Sequence, residues 1–121
     1  MELTIDQILS ADRAITGVKD TKFPVKVSYR LSRLQQIIKP ITTQFQENNR
    51  KLIVEEYGVQ KEDSTEFSVP KEKLEEYYKA VNTLLAEKEN IELKPLNLSD
   101  FTNIEISPEF LSNLGPFVIE D

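Results

Sequence analysis

Four cations near the start of the chain recur at the spacing of one helix face. With a tyrosine among them, they form the basic face, which consists of Lys22, Lys26, Tyr29, Arg30 and Arg33. The cations advance by steps of four, four and three residues, so they share one side of a helix that begins early enough. Arginine can contact a phosphate through two hydrogen bonds, and tyrosine offers a ring for stacking. The basic face is therefore the candidate ligand- or anion-binding site.

Two interpretations of the basic face remain open. Four cations on one face repel each other, so acids of the fold must neutralise them or an anion must bind them. Asp12, Asp20 or glutamates of a neighbouring helix could supply that neutralising charge. Ion pairing within the fold is the more common outcome, and binding of an anionic ligand is the functional hypothesis.

The composition excludes several kinds of catalysis. The 121 residues include no histidine and no cysteine, which removes the imidazole base, the Ser-His triad, the thiolate nucleophile and zinc bound by either residue. Acidic pairs such as Glu55-Glu56 lack the spacing of a calcium loop, and the three glycines form no phosphate-binding loop. We therefore predict a protein that is not an enzyme and that uses no metal or cofactor.

The charge is unevenly distributed along the chain. Residues 1–39 carry seven basic and four acidic side chains, whereas residues 40–121 carry eight basic and seventeen acidic ones, for a formal net charge of −6. A net acidic chain is repelled by duplex nucleic acid. No signal peptide and no apolar run of about 18 residues is recognisable. We predict a cytoplasmic protein that binds another protein or a small phosphate-bearing ligand, and neither duplex nucleic acid nor a membrane.

A regular apolar seam predicts a long helix over residues 24–57, which must carry most of the basic face. The seam advances by alternating steps of four and three residues through Val27, Leu31, Leu34, Ile38, Ile41, Phe45, Asn48 and Leu52. Pro24 suits a helix start and Gly58 a helix end. Pro40 removes one backbone hydrogen bond, so we expect the helix to bend there. Two helices, over 24–38 and 41–57, are the alternative.

The length of the seam favours self-association. A helix of about 33 residues is roughly 50 Å long, whereas a second, antiparallel helix over 70–88 is roughly 27 Å long. The seam could pack on this second helix within the chain or against another copy. Because the shorter helix cannot cover the longer one, an apolar patch would remain exposed. We favour a homo-oligomer, most simply a dimer, with Asn48 setting the register.

The remaining segments complete a single domain over residues 1–121, mainly α with a minor β element. Thr4 and Gln7 have the spacing of a capping box, which predicts a short helix over 5–16 that stops at Gly17. Apolar residues of the second helix, 70–88, face the long one. Tyrosines 57, 77 and 78 are expected to pack where the two helices meet.

Strands and short helices are predicted for residues 89–121. Alternating apolar residues at 66–69 and 91–93 indicate two short strands, which we expect to pair with each other. Ser99 is predicted to cap a helical turn. Ser107 and Pro108 indicate the start of a short helix over 108–114, which ends at Gly115.

Four segments in this order resemble a family of small phage and prophage proteins of unknown function from low-GC bacteria. They are FPVKVSYRLSR at 23–33, NRKLIVEEYG at 49–58, IELKPLNL at 91–98 and ISPEFLSNLGPFVIE at 106–120. The shared features are a long helix that ends in Tyr-Gly and a close of the type Ile-Ser-Pro, then Leu-Gly-Pro-Phe. These features cover nearly the whole chain and are structural, so the resemblance implies no functional residues.

The resemblance implies a phage setting and the cytoplasm of a host cell. Small acidic phage proteins often act by binding. We therefore predict a non-enzymatic binding protein that counteracts a host defence system, either by engaging a host protein or by sequestering a phosphate-bearing signal such as a nucleotide. The alternative is a structural or assembly accessory protein of the virion head or tail. A ring or an open filament would favour that alternative.

Overall fold

The first helix begins where the capping box predicts. In the computed structural model, which describes residues 1–120, a short strand β1 (Glu2–Thr4) leads into helix α1 (Ile5–Gly17). The Thr4 hydroxyl accepts a hydrogen bond from the Gln7 backbone N–H at 3.2 Å, and the Gln7 side chain accepts one from the Thr4 N–H at 2.9 Å. Two helix-end donors are satisfied in this way. Ile8, Ala11, Ala14 and Ile15 of α1 are buried.

One continuous helical segment follows, as the unbroken phase of the seam predicts. Helix α2 (Val25–Lys51) passes through Pro40 and continues directly into a π-helical turn, Leu52–Tyr57. Beyond Pro40, the Thr42 hydroxyl donates to the Lys39 carbonyl at 3.0 Å. The prediction of one long helix is confirmed over the two-helix alternative. Pro24 is the capping residue rather than the first helical residue.

The first half of the seam belongs to the core of the chain itself. Val27, Leu31, Leu34 and Ile38 are at most 5% exposed, and they form one apolar cluster with α1 and the C-terminal segments. Their assignment to a seam between subunits is therefore wrong, because a buried side chain offers no surface to a second copy. Helix α1, and not only the predicted helix 70–88, covers this part of α2.

The second half of the seam is only partly covered. Ile41, Phe45, Asn48 and Leu52 are half-buried. A 3₁₀ turn (Lys71–Lys73) precedes helix α3 (Leu74–Leu85), which contacts the π-helical turn and has no buried residue. Residues 43–90 all lie within the described part of the chain, and none of them is buried. Every buried residue lies in 3–42 or 91–117.

Residues 1–120 contain three two-stranded sheets in place of the single predicted strand pair. Strand β2 (Val59–Gln60) pairs antiparallel with β3 (Phe67–Ser68), and β1 pairs antiparallel with β4 (Lys88–Asn90). Strand β5 (Leu96–Asn97) pairs in parallel with β6 (Val118–Ile119). The predicted pairing of 66–69 with 91–93 is wrong, because β3 folds back on β2 and the chain after α3 returns to β1. Helix α3 ends at residue 85, earlier than predicted, where this return begins.

The C-terminal elements close the core. The Ser107 hydroxyl accepts a hydrogen bond from the Phe110 N–H at 3.1 Å, and helix α4 (Pro108–Leu114) begins there as predicted. A 3₁₀ turn (Gly115–Phe117) follows. Another 3₁₀ turn, Leu98–Phe101, is capped by Asn97 and not by Ser99. Phe23, Phe101 and Phe110 form a ring cluster with centroids 5.7–6.3 Å apart, which ties the connector before α2 to this segment.

Candidate functional site

Four of the five residues of the basic face lie on one side of the first turns of α2. Lys26, Tyr29, Arg30 and Arg33 belong to the helix, and Lys22 lies in the connector before it. Tyr29 is 64% exposed, and Lys22, Lys26 and Arg33 are also exposed. Arg30 is half-buried. The opposite side of the same turns carries Val27 and Leu31, whose burial in the core orients the basic face toward solvent.

Asp100 lies between two cations of the basic face. The Lys26 Nζ is 3.3 Å from the Asp100 Oδ1, and the Arg30 Nη1 donates to the Asp100 Oδ2 at 3.3 Å. The carboxylate is itself largely buried, with 8% of the side chain exposed, and it also accepts a hydrogen bond from the Asn97 backbone N–H at 3.0 Å. One carboxylate therefore fixes the 3₁₀ turn 98–101 against α2.

The surroundings of Asp100 favour its charged form. The Asn97 N–H contributes most to holding the pKa of Asp100 below its ordinary value of 3.8, and burial opposes this effect. The hydrogen bond and charge of Lys26, and then the charge of Arg30, lower the pKa of this carboxyl further. Asp100 therefore remains a carboxylate at neutral pH.

Ion pairing within the fold accounts for two of the four cations. Lys26 and Arg30 have Asp100, whereas Lys22 and Arg33 form no ion pair with any of residues 1–120. Neither Asp12 nor Asp20 supplies the neutralising charge, which corrects our expectation. One Asp12 carboxylate oxygen is buried without a hydrogen-bond partner.

The sequence does not predict Asp100 as the counter-ion of Arg30, because the two residues are 70 positions apart in the chain. Asn97 and Asp100 do have the spacing of a capping box, and in the structure each side chain accepts from the other's backbone N–H. That local signal marks Asp100 as a fixed carboxylate. It does not indicate which cations the carboxylate meets.

Exposed apolar surface adjoins Lys22 and Arg33. Val25 is 86% exposed and lies one helical turn before Tyr29, which in turn lies one turn before Arg33. Leu98, in the turn that carries Asp100, is 40% exposed. Apolar, aromatic and cationic groups therefore form one continuous strip on α2. The strip can bind a surface by burying Val25 and Tyr29 while Lys22 and Arg33 pair with acids.

The structure indicates no metal centre in the part of the chain that it describes. No three acidic side chains there are grouped so as to hold an ion, and the sequence has no histidine or cysteine.

Among residues 1–120, no helix combines the length and the apolar character that a membrane crossing requires.

Comparison with known proteins leaves the basic face to be interpreted from its own geometry. No protein-family model matches the chain. No curated protein and no solved structure matches it either.

Proposed function

We propose that this chain is a non-enzymatic binding protein whose basic face engages an acidic surface of another protein. The phage setting implied by the sequence resemblance leads us to propose a component of a host defence system as that partner, in the host cytoplasm. The observation that carries the proposal is the exposure of Tyr29 beside Val25 and beside Arg33, which has no ion pair within residues 1–120.

The types of residue in this strip support a protein partner. Tyrosine and arginine are enriched among the residues that dominate protein–protein binding energy, and an exposed tyrosine loses little conformational freedom when it is buried. Charges at the rim of such an interface steer association and select partners. Val25 and Tyr29 would supply apolar contact, and Lys22 and Arg33 would select an acidic partner.

Asp100 argues against the sequestration of a phosphate-bearing signal at the basic face. A phosphate placed between Lys26 and Arg30 would lie next to the buried carboxylate and would be repelled by it. Displacing the carboxylate would leave it without its two cations inside the fold. Two of the four cations are therefore already committed, which favours a protein partner over a nucleotide.

Site-specific photo-crosslinking tests this proposal. Benzoylphenylalanine in place of Tyr29 should capture an acidic protein in the host cell, and Arg33→Glu in the same chain should abolish that capture. The matched control is the same group in place of Tyr78, which is 56% exposed on α3. Equal capture from both positions, or capture unaffected by Arg33→Glu, would refute the basic face as the binding surface.

The identity of the captured protein decides the role. A defence component supports the proposal, whereas a head or tail protein would assign the chain to virion assembly. Native mass spectrometry supplies the remaining comparison. A nucleotide-sized adduct that disappears on Arg33→Glu would replace the protein partner with a sequestered signal.

A further inference from the structure

A groove runs along the half-covered part of α2 and begins about two helical turns after Arg33, the last residue of the basic face. It lies between α2, the end of α3 and β4, and its cavity has a volume of about 310 Å³. Its apolar lining comes from Ile5, Pro40, Ile41, Phe45 and Leu84. Only Ile5 among them is buried, so the other side chains leave apolar surface in contact with solvent.

The charged side chains that line the groove are both carboxylates. Glu87 and Glu89 are exposed, and neither forms an ion pair within residues 1–120. Lys88 lies between them in the chain, but it lines a separate cleft with Asn82, which Glu87 also borders. No cation lines the groove in the part of the chain that the structure describes.

The neighbouring residues of α2 do not offset this charge. The exposed Lys51 lies outside the groove, with the exposed Glu47 and Glu55 one turn away on either side. Within the groove, the Gln44 Nε2 donates to the Asn48 Oδ1 at 3.2 Å, which leaves the Gln44 Oε1 as an acceptor. The groove therefore combines an apolar floor with groups that favour a cationic donor.

The shape of the groove favours a segment of another protein over a small molecule. Sites for small molecules enclose most of the ligand surface, whereas Pro40 and Gln44 in this lining are themselves exposed. From Ile41 to Asn48 the lining follows seven residues, or about 10 Å, of α2. An amphipathic helix presents its anchoring side chains to a groove over the same two turns.

We propose that the groove binds a basic amphipathic helix of another protein. Apolar side chains of that helix pack on Ile41, Phe45 and Leu84, and lysine or arginine beside them pairs with Glu87 and Glu89. Charge complementarity selects this occupant, because an acidic helix would be repelled by the two carboxylates. The groove is separate from the basic face, so the chain has one surface for an acidic partner and another for a basic one.

A synthetic basic peptide is the probe for this site. It has about twelve residues, with leucine at helical spacings of three and four residues and lysine at the other positions. One control peptide has the same composition in alternating order, which removes the apolar helix face, and a second has glutamate in place of lysine. Fluorescence anisotropy should show that the wild-type chain binds both control peptides at least about tenfold more weakly than the basic peptide.

Charge reversal at the groove tests the location of binding without touching the core. Glu87→Lys with Glu89→Lys should raise the dissociation constant of the basic peptide at least about tenfold. Each exposed ion pair contributes little alone, but here two attractions become two repulsions. The matched control, Glu62→Lys with Glu105→Lys, changes the net charge equally at exposed positions outside the groove. It should change the dissociation constant less than about twofold, because salt screens distant charges.

Three results would each overturn the proposal. They are equal weakening by the two charge reversals, a control peptide that binds as tightly as the basic one, and a wild-type chain that does not bind the basic peptide. The last result includes a chain whose groove is already covered by a second copy. Circular dichroism of each variant verifies the fold. Arg33→Glu changes only the basic face and should leave the affinity for the peptide within about twofold, so the crosslinking result for that face stands or falls separately.

Discussion

A single carboxylate decides how much of the basic face is available for binding. Asp100 pairs with Lys26 and Arg30 within the fold, whereas Lys22 and Arg33 form no ion pair among the described residues 1–120. The Asp100 carboxylate is largely buried and also accepts a hydrogen bond from the Asn97 N–H. Leaving it without its two cations would therefore cost free energy. At the residue scale, Lys26 and Arg30 therefore have a structural role, and the binding role that we propose belongs to their exposed neighbours Lys22 and Arg33.

We expect Asp100→Asn to lower the free energy of unfolding at pH 7 by about 1–3 kcal/mol, because charge-assisted hydrogen bonds are lost. The pKa of Asp100 is lower in the folded chain than its ordinary value of 3.8. Its stabilisation is therefore fully present above about pH 4 and is lost as the pH falls through the lower, folded pKa. Urea unfolding of both chains at pH 7, 5 and 3 measures this.

The control for this experiment is Glu105→Gln, which removes an exposed carboxylate and should change stability by less than about 0.5 kcal/mol. A difference between wild type and Asp100→Asn that stays the same from pH 7 to pH 3 would contradict the role assigned to the charge of Asp100.

At the element scale, the end of the long helix depends on one glycine. The helix widens to a π-helical turn over Leu52–Tyr57 and stops at Gly58. A Cβ on Gly58 would overlap the Ile53 carbonyl, so the backbone can approach this closely only without a side chain. Tyr57 and Tyr77 pack edge-on with centroids 6.3 Å apart, and the Tyr77 hydroxyl donates to Asn49 at 2.6 Å. This turn therefore also determines how α3 meets α2.

Gly58→Ala should destabilise the chain by about 1–3 kcal/mol, as other overpacked sites do, because the Ile53 carbonyl must move. Gly17→Ala is the matched comparison, since a Cβ there meets no atom within 4 Å. It should leave stability unchanged or raise it by up to about 1 kcal/mol. Equal unfolding midpoints for the two variants in urea would show that the close approach at Gly58 carries no strain.

Local chemistry explains which elements could be predicted from sequence. Thr4 with Gln7 and Ser107 with Pro108 predicted two helix starts, because a cap satisfies donors only three residues away. The long helix followed from the phase of its seam. The strand partners did not follow, since two- and three-residue strands carry no pattern that selects a partner. The pairing of Arg30 with Asp100 depends on the same long-range folding.

At the scale of the whole molecule, burial separates the chain into two regions. The core combines residues 3–42 with 91–117, and the region between them has apolar side chains that are only half-buried. Only the first half of the predicted seam belongs to the core. The second half, from Ile41 onward, is only half-buried.

Hydrogen exchange should reveal the same division. Amides of α1 and of the first half of α2 are expected to exchange at rates set by global unfolding, because their side chains form the core. Amides of α3, which has no buried residue, should exchange faster through local opening. Exchange followed by mass spectrometry in dilute solution tests this, and equal protection of α1 and α3 would contradict it.

The arrangement of the core also has a kinetic consequence. Helical proteins usually fold quickly because most of their contacts are local. Here the core cannot close until residues on either side of the segment 43–90 have met, and the parallel pairing of β5 with β6 comes later still along the chain. The two ends of segment 43–90 must come together, with a loss of chain entropy, before much apolar surface is buried. This mainly helical chain should therefore fold more slowly than its helix content implies, because the core of α1 and α2 is complete only when the C-terminal segment packs on it.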